Sequence, residues 1–451
     1  MHVKFVKSAA TVMAAGGLAA MGLASAPAAQ AAPAQVTVQV PCSAGALADA
    51  ISSAASGDTL DLASGCTYVL TEALHDITTD LTIRGDGLNT LVRSFAPDTP
   101  DFSILTVDPD VDLTVSNVNF SNGHGGGDDR GVSQARPGLR KAQPGIAKTR
   151  SDIKSDVRWG ISQARPGRTS ARAGSRPAQS GIKPANISDG GGGAIDNEGG
   201  NVTVIGGNFG LNTADESGGA IYNDGDLTVI RSTFSSNTAE FGGAIENDDE
   251  ATVTGGTFVG NEAGSEGGGF YNDEDATLTG VTFRQNLAEY GGGVYNDGGI
   301  TLIHDTFLAN EAEFYGGGFY NEDDAGVLGG NFTQNVSGEY GGGMYNEASS
   351  EVAGTIFTGN ISEHGGGFYN EDEARLFGTA FRHNLAEYGG GIYNDDALSI
   401  ANSKIVSNTA SPPSGGGGIV NNDDIHLTNT LVSGNKPENC VPLNTIAGCV
   451  S

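Results

Sequence analysis

The sequence is poor in most of what holds an ordinary secreted or membrane protein together. Cysteine occurs four times in 451 residues, at Cys42, Cys66, Cys440 and Cys449. None falls between 66 and 440, so cross-links do not hold the middle of the chain. Beyond residue 31 no run reaches the roughly 18 apolar residues that a membrane-spanning helix needs. Basic residues are scarce: 23 Lys+Arg stand against 54 Asp+Glu. Thirteen of the 23 lie in residues 125–189. Outside that segment and the first 31 residues, 8 basic residues face 49 acidic ones. Such a body repels nucleic acid and attracts cations. Proline is low, at 15, which argues against a Pro-rich disordered chain. Leucine ladders and amphipathic helical stretches are missing from the repeats, which excludes leucine-rich repeats and helical solenoids.

What is abundant is glycine, 71 residues without a Gly-X-Y period. Collagen is therefore excluded and a glycine-punctuated repeat is left. The chain opens with basic MHVKFVK, the apolar AATVMAAGGLAAMGLA and the small-residue site Ala29–Ala31. These read as a secretory signal peptide over residues 1–31, so the mature protein is expected outside the cell. An even number of cysteines in a secreted chain implies disulfides, and their placement favours Cys42–Cys66 and Cys440–Cys449, one clamp at each end.

Self-comparison gives the period. The Asn that closes GG-x-x-N falls at 197, 223, 247, 272, 296, 321, 346, 370, 394 and 421. A second Asn, in F-x-x-N or a variant of it, falls at 212, 237, 261, 286, 310, 335, 360, 384, 408 and 435. Nearly every step is 24 or 25 residues, the mark of a solenoid. Short strands joined by Gly- and Asn-rich corners predict an all-β parallel β-helix, each coil holding three strands and three turns. The position two before the first Asn is always apolar (Ile221, Val294, Phe319, Met344), so it points inward and the Asn with it. The residue between them accepts Asp196 and Glu246 as well as Tyr, which predicts that it faces water. Phe209 to Phe381 form a second inward column, continued by Ile405 and Val432. Each fully buried Phe contributes roughly 1.5–3 kcal/mol. Five residues before each stands a Val, Leu or Ile, an odd separation that requires a bend between them.

The ends need covers, because an open coil exposes sheet edges. Ser43–Ala55 reads as an amphipathic plug helix with Leu47, Ile51, Ala54 and Ala55 on one face, Ser43 capping it and Gly57 ending it. The expected organisation is then a signal peptide (1–31), an N-terminal cap with irregular first coils (32–124), an insert (125–189), regular coils (190–436) and a C-terminal disulfide cap (437–451). The insert is basic, rich in Arg, Gly, Pro and Ser, and repeats GVSQARPG at 131–138 as GISQARPG at 160–167. Its composition predicts a disordered loop that cuts one coil open between NFSNGHGGG and GGGGAIDN.

The motifs GGAI (Gly192–Ile195 and Gly218–Ile221) and F-x-x-N (Phe234–Asn237) resemble the repeats of polymorphic outer membrane proteins, over roughly residues 190–435. The resemblance implies the right-handed β-helix of the pectate-lyase-like superfamily, and adhesion. It departs from autotransporters of that kind in ending sixteen residues after the last repeat Asn, so no barrel is expected. The superfamily also implies an alternative, a polysaccharide lyase or glycoside hydrolase. Its hydrolases carry N-T-D, D-D and G-H-G motifs on separate coils. Here Gly123-His124-Gly125 and Asp128-Asp129 are adjacent and in reversed order. Its lyases need calcium-binding carboxylates plus an Arg or Lys base; the basic residues of the repeats are Arg231, Arg284, Arg375, Arg382 and Lys404, of which Arg284 and Arg382 occupy one outward repeat position. Neither motif assembles a catalytic set in the sequence, so no catalytic residue is assigned.

Two columns carry the binding expectation. Tyr222, Tyr271, Tyr295, Tyr320, Tyr345, Tyr369 and Tyr393 form a row expected to be exposed, able to stack on sugars or on a partner, or on each other. Carboxylates follow the Asn (Asp248, Asp249, Asp273, Asp275, Asp323, Asp324, Asp372, Asp395, Asp396), and a Glu row from Glu216 to Glu387 precedes the glycines. Oxygen-rich rows suit Ca²⁺, although the spacings match no EF-hand or nonapeptide loop; the competing reading is a solubilising acidic face. No cofactor is otherwise required. The sequence thus predicts a secreted, non-catalytic, adhesin-like rod whose partner is a polysaccharide or a cell surface.

Overall fold

A computed structural model describes residues 35–126, 191–411, 415–442 and 446–449. The proposed signal peptide and nearly all of the insert, with Asp128 and Asp129, lie outside these residues. The described chain is an all-β parallel solenoid of about 14 coils with one short helix. In the regular coils most strands pair in parallel with the strands one coil before and one coil after them.

A regular coil holds four strands rather than the expected three, for example Asp275–Thr279, Thr282–Arg284, Leu287–Tyr290 and Val294–Asn296. The first two belong to one broad sheet, bent at Gly280 (φ 65°). That bend resolves the odd Leu278–Phe283 separation: both side chains are fully buried. The third strand joins a sheet of short strands, and the fourth joins the sheet that carries the Tyr column.

The predicted interior is present in register. Phe120, Phe209 and their successors to Phe381 pair coil to coil, with ring centroids 4.4–5.1 Å apart and planes within 4–23°. Beside them run two Asn ladders. Asn310 donates from Nδ2 to Asn335 Oδ1 (3.0 Å) and to the Phe283 carbonyl (3.0 Å). Its own Oδ1 accepts from Asn286 Nδ2 (3.0 Å) and from the Asn286 backbone N–H (3.1 Å). All four positions of the buried amide are thereby satisfied, which removes the penalty of burying it. The second ladder, Asn197 to Asn421, links amides at 2.6–3.0 Å.

Helix α1 (Ala44–Ser52) buries Leu47 and Ile51 at the N-terminal end, and Ser43 Oγ accepts from the Ala46 N–H (3.0 Å). It stops earlier than expected. Ser53 is its C-cap, Ala55 is exposed, and Gly57 (φ 86°) shapes the turn beyond. Asp58 braces the turn beyond it: its Oδ2 accepts from the Ala55 N–H (3.0 Å) and its Oδ1 from the Val36 N–H (2.9 Å). Both predicted disulfides form, Cys42–Cys66 and Cys440–Cys449.

The cut coil is legible at its edges. His124 pairs with Thr213, and Leu105 with Ile195. Across this level hydrogen-bonded partners such as Asn201 and Asp112 stand 89 residues apart, against 24 or 25 between intact coils. The insertion therefore leaves the corner between a short strand and the Tyr sheet.

Candidate binding faces

The repeated GGG sets the position of the Tyr column. Gly291 has φ 61°, and a Cβ there would lie 2.5 Å from the Val294 carbonyl oxygen. At Gly292 a Cβ would lie 2.3 Å from the Glu311 oxygen of the next coil, and at Gly293 2.5 Å from that of Gly318. Backbones that close allow no side chain, so glycine here is a packing requirement. The turn releases Tyr295 outward, in register with Tyr271 and Tyr320.

Direction is as expected, but exposure is not. Tyr295, Tyr320, Tyr345 and Tyr369 are only 3–6% exposed and Tyr222 is 8%; Tyr271 and Tyr393 are half-buried. Asp196 and Glu246, at the same position, are 7% exposed and not water-facing either. The Tyr rings stack on one another at 4.6–5.4 Å. A second aromatic layer, which the sequence reading did not single out, covers them. Tyr290 meets Tyr320 edge-on (6.0 Å), Tyr315 lies against Tyr345 (5.1 Å), Tyr340 against Tyr369 (4.7 Å), and His364 against Tyr393 (5.1 Å). Its signal was present: an aromatic or His follows the Glu in E-Y-G-G-G and E-H-G-G-G. These outer rings are half-buried and form a ridge along the rod.

Carboxylates complete the ridge. Tyr222 donates its hydroxyl to Asp248 Oδ2 (2.8 Å). Tyr295, Tyr320, Tyr345 and Tyr369 donate in turn to Glu322, Glu347, Glu371 and Asp395, each one coil on. Burial first, and the carboxylates second, hold these phenols protonated far above the ordinary tyrosine range. For Tyr320 and Tyr345 burial also leads, followed by the neighbouring Tyr and then the carboxylate. Burial in turn raises Glu347, against the lowering effect of the Tyr320 hydroxyl. His364, stacked on Tyr388 and facing Tyr340, is driven down to about 4 by burial and is neutral at pH 7.

The acidic residues proposed for Ca²⁺ fall into two groups. Asp248 and Asp395 accept Tyr hydroxyls, and Asp273 occupies the same coil position. Asp249, Asp275, Asp323, Asp324, Asp372 and Asp396 are exposed at the corner leading to the broad sheet. One carbonyl of each such corner accepts from the Asn ladder: Asn247 Nδ2 donates to the Asp249 oxygen (2.6 Å) and Asn272 to that of Glu274 (2.6 Å). Among the described residues, no three Asp, Glu, His or Cys side chains converge in a metal-holding group.

One place on the rod does gather unlike residues. His124, from Gly123-His124-Gly125, sets Nδ1 2.8 Å from Thr213 Oγ1. Its Nε2 lies 3.5 Å from Asp215 Oδ1 and 3.9 Å from Asp101 Oδ2, and Asp101 is paired with Arg93 (2.5 Å). A histidine between a hydroxyl and carboxylates has the connectivity of a general base. Thr213 is 89 residues from His124, which hid the pairing in the sequence. Arg284 and Arg382 are exposed, as their outward position predicted.

No protein-family model matches the chain, and no curated protein is found similar to it. Among solved structures it is similar to the crystal structure of PfbA, a surface adhesin of Streptococcus pneumoniae. The likeness covers 86% of this chain and 87% of that one at 10% identity, with a TM-score of 0.37.

Proposed function

We propose that the chain is a secreted, non-catalytic extracellular rod that binds a polysaccharide or a cell-surface partner lengthwise, as an adhesin does. The observation that carries this reading is the aromatic and carboxylate ridge from Tyr271 to Tyr393, which presents nearly the same chemistry coil after coil. A repeating face suits contact at many points with an extended partner, where weak contacts add through multivalency. The two disulfides support an extracellular location. The paired glycine and F-x-x-N motifs support a place in the right-handed, pectate-lyase-like superfamily. We take residues 1–31 as the signal and 125–189 as a tolerated loop.

The test is binding of the mature protein to whole cells and to extracted surface polysaccharides. Replacing the outer rings Tyr315 and Tyr340 with Ala is expected to abolish retention while the fold, followed by circular dichroism, persists. Retention undiminished by that double change would remove the ridge from the proposal. The His124 cluster favours a second reading, a carbohydrate-active enzyme. Incubation with pectin-like polysaccharides, with and without Ca²⁺, decides it. New reducing ends or unsaturated products that vanish in His124→Ala would establish catalysis.

A further inference from the structure

The second strand of the broad sheet, with the bend before it and the corner after it, recurs as ten segments from 205–212 to 428–435. Their charge is unlike that of the rest of the rod. Residues 191–436 hold 36 Asp and Glu, and of these only Asp305 falls in the ten segments, where it is 2% exposed. The same segments carry Arg231, Arg284, Arg382 and Lys404, all exposed. They also hold every large hydrophobic side chain that the described regular coils expose: Leu211, Leu328, Phe377 and Leu431. A strip free of exposed carboxylates, and partly apolar, therefore runs along an otherwise acidic body. Exposed apolar groups gathered in one place mark a contact surface.

The charge points to the occupant. A chain of net charge −31 repels its own kind wherever carboxylates face each other within a Debye length, about 8 Å. The strip is a face on which two copies can touch without that repulsion. A polyanion would need a dense row of cations, and four cations in ten coils, interleaved with Leu and Phe, do not supply one.

We infer that the strip is the interface of a side-by-side, antiparallel dimer of this chain, centred on the coil of Ala353. Leu328, Ala353 and Phe377 are successive members of one outward row. A two-fold axis across the rod at Ala353 keeps each row over itself and reverses the order of the coils. Phe377 then lies over the second copy's Leu328. In the rows beyond the bend Leu308 comes opposite Val406, Arg382 opposite Thr333, Lys404 opposite Thr306 and Arg284 opposite Ser433. Apolar side chains meet apolar ones, each of these cations meets a hydroxyl that can accept, and no cation meets a cation. The contact spans seven coils, on the order of 30 Å. Being isologous it closes at two copies, so it does not build a filament. It lies on a different face from the aromatic ridge and stands without it.

The experiment is sedimentation velocity of the full mature chain over about 1–100 μM, at about 20 and 200 mM NaCl. A dimer is expected, tighter at the higher salt because the outer acidic faces of the two copies still repel. Phe377→Asp, which returns a carboxylate to the centre of the strip, is expected to weaken it about tenfold or more. Thr228→Asp adds the same charge on the first strand, outside the contact, and is expected to leave it unchanged. Phe377 is exposed, so the melting temperature of the dilute chain should not move; should Phe377→Asp misfold, Phe377→Ser carries this arm. Cysteine pairing reads the orientation. Leu328→Cys mixed with Phe377→Cys should cross-link on oxidation, and neither should link to itself, since like positions stand about 10 Å apart, beyond disulfide reach. The inference fails if the chain stays monomeric throughout, if Phe377→Asp leaves the dimer as it was or Thr228→Asp weakens it equally, if salt loosens it, or if either cysteine variant links to itself. Binding of polyphosphate that Arg382→Ala abolishes would overturn it too, giving the strip to an anionic polymer.

Discussion

Two aromatic columns run along the regular coils and are built differently. The Phe column lies inside, fully enclosed by its own coils. The Tyr column lies outside, and its burial is borrowed from rings five residues upstream in chain position, each reaching one coil further along. The columns also end differently. Phe gives way to Ile405 and Val432 towards the C-terminus, where the interior still accepts any apolar group of fitting size. Tyr is replaced by Asp196 and Glu246 towards the N-terminal side of the regular coils, where Phe241, against Tyr271, is the first covering ring among the described residues. An interior column is thus specified by coil geometry alone, whereas an exterior one needs a second residue type to shelter it.

The sharpest way to break this comparison is one truncation on each side. Phe307→Ala removes a ring stacked on Phe283 and Phe332 in a position that cannot collapse, because the coil backbones are fixed by their ladders. It should cost about 3–5 kcal/mol. Tyr320→Ala opens a surface that water can fill, and should cost roughly 1–3 kcal/mol. Urea denaturation of both variants measures the difference, and equal losses would mean that the outer layer is as rigid as the core.

Glu246 offers a gain in place of a loss. It sits in the Tyr column, 7% exposed, accepting from the Gly218 N–H (3.1 Å). Burial, followed by the Asp248 charge, holds its carboxyl well above the ordinary range. A group with a raised folded pKa binds a proton in the native state that it lacks when unfolded. Its contribution is therefore best at low pH, and stability falls as pH rises from about 4.5 through the folded value. Glu246→Tyr would extend the stack, with Tyr271 as its next neighbour. It should stabilise by roughly 1–2 kcal/mol at pH 8 and by much less at pH 4. A gain independent of pH would show that Glu246 is not the source of the penalty.

The contrast also explains what the sequence made legible. Period, parity and residue type were enough for the Phe column, both Asn ladders, the disulfides and the cut coil, since each follows from direction and spacing. They were not enough for the exposure of Tyr295 or Tyr345. Parity says which way a side chain leaves the backbone; coverage depends on how far Tyr315 and Tyr340 reach, and that is not periodic information. The same limit applies to carboxylates at a tyrosine position: Asp196 and Glu246 read as water-facing, yet neighbouring coils bury them. The His124–Thr213 pair was hidden for a different reason, because a long insertion separates two residues that the coil stack places side by side.

A smaller effect tests how the outer column is wired. Tyr320→Phe keeps the ring and deletes only the hydroxyl that Glu347 accepts. Glu347 is already raised by burial, and that hydroxyl is what lowers it. The loss should be about 0.5–1.5 kcal/mol at pH 7, shrinking as the pH falls through the raised pKa of Glu347 and the carboxyl protonates. A loss that stays constant across this range would assign the effect to packing alone.

The smallest shift is expected from divalent cations, and it distinguishes a screened surface from a bound ion. The outer carboxylates recur at the coil spacing, where like charges repel by about 1 kcal/mol or less per pair in water. Some of that repulsion is relieved by the Tyr hydroxyls, and one carbonyl of each such corner, which could otherwise join a calcium shell, accepts from Asn247 or Asn272. What remains should respond to ionic strength, not to ion identity. NaCl and CaCl₂ at matched ionic strength should raise the melting temperature equally, by roughly 1–3 °C, and a chelator at constant ionic strength should leave it unchanged. A gain specific to calcium well below the concentration at which NaCl acts would mean instead that Asp249, Asp275, Asp324 or their neighbours gather around an ion. The outer acidic rows would then be a second cohesive column, and the difference between inside and outside would narrow.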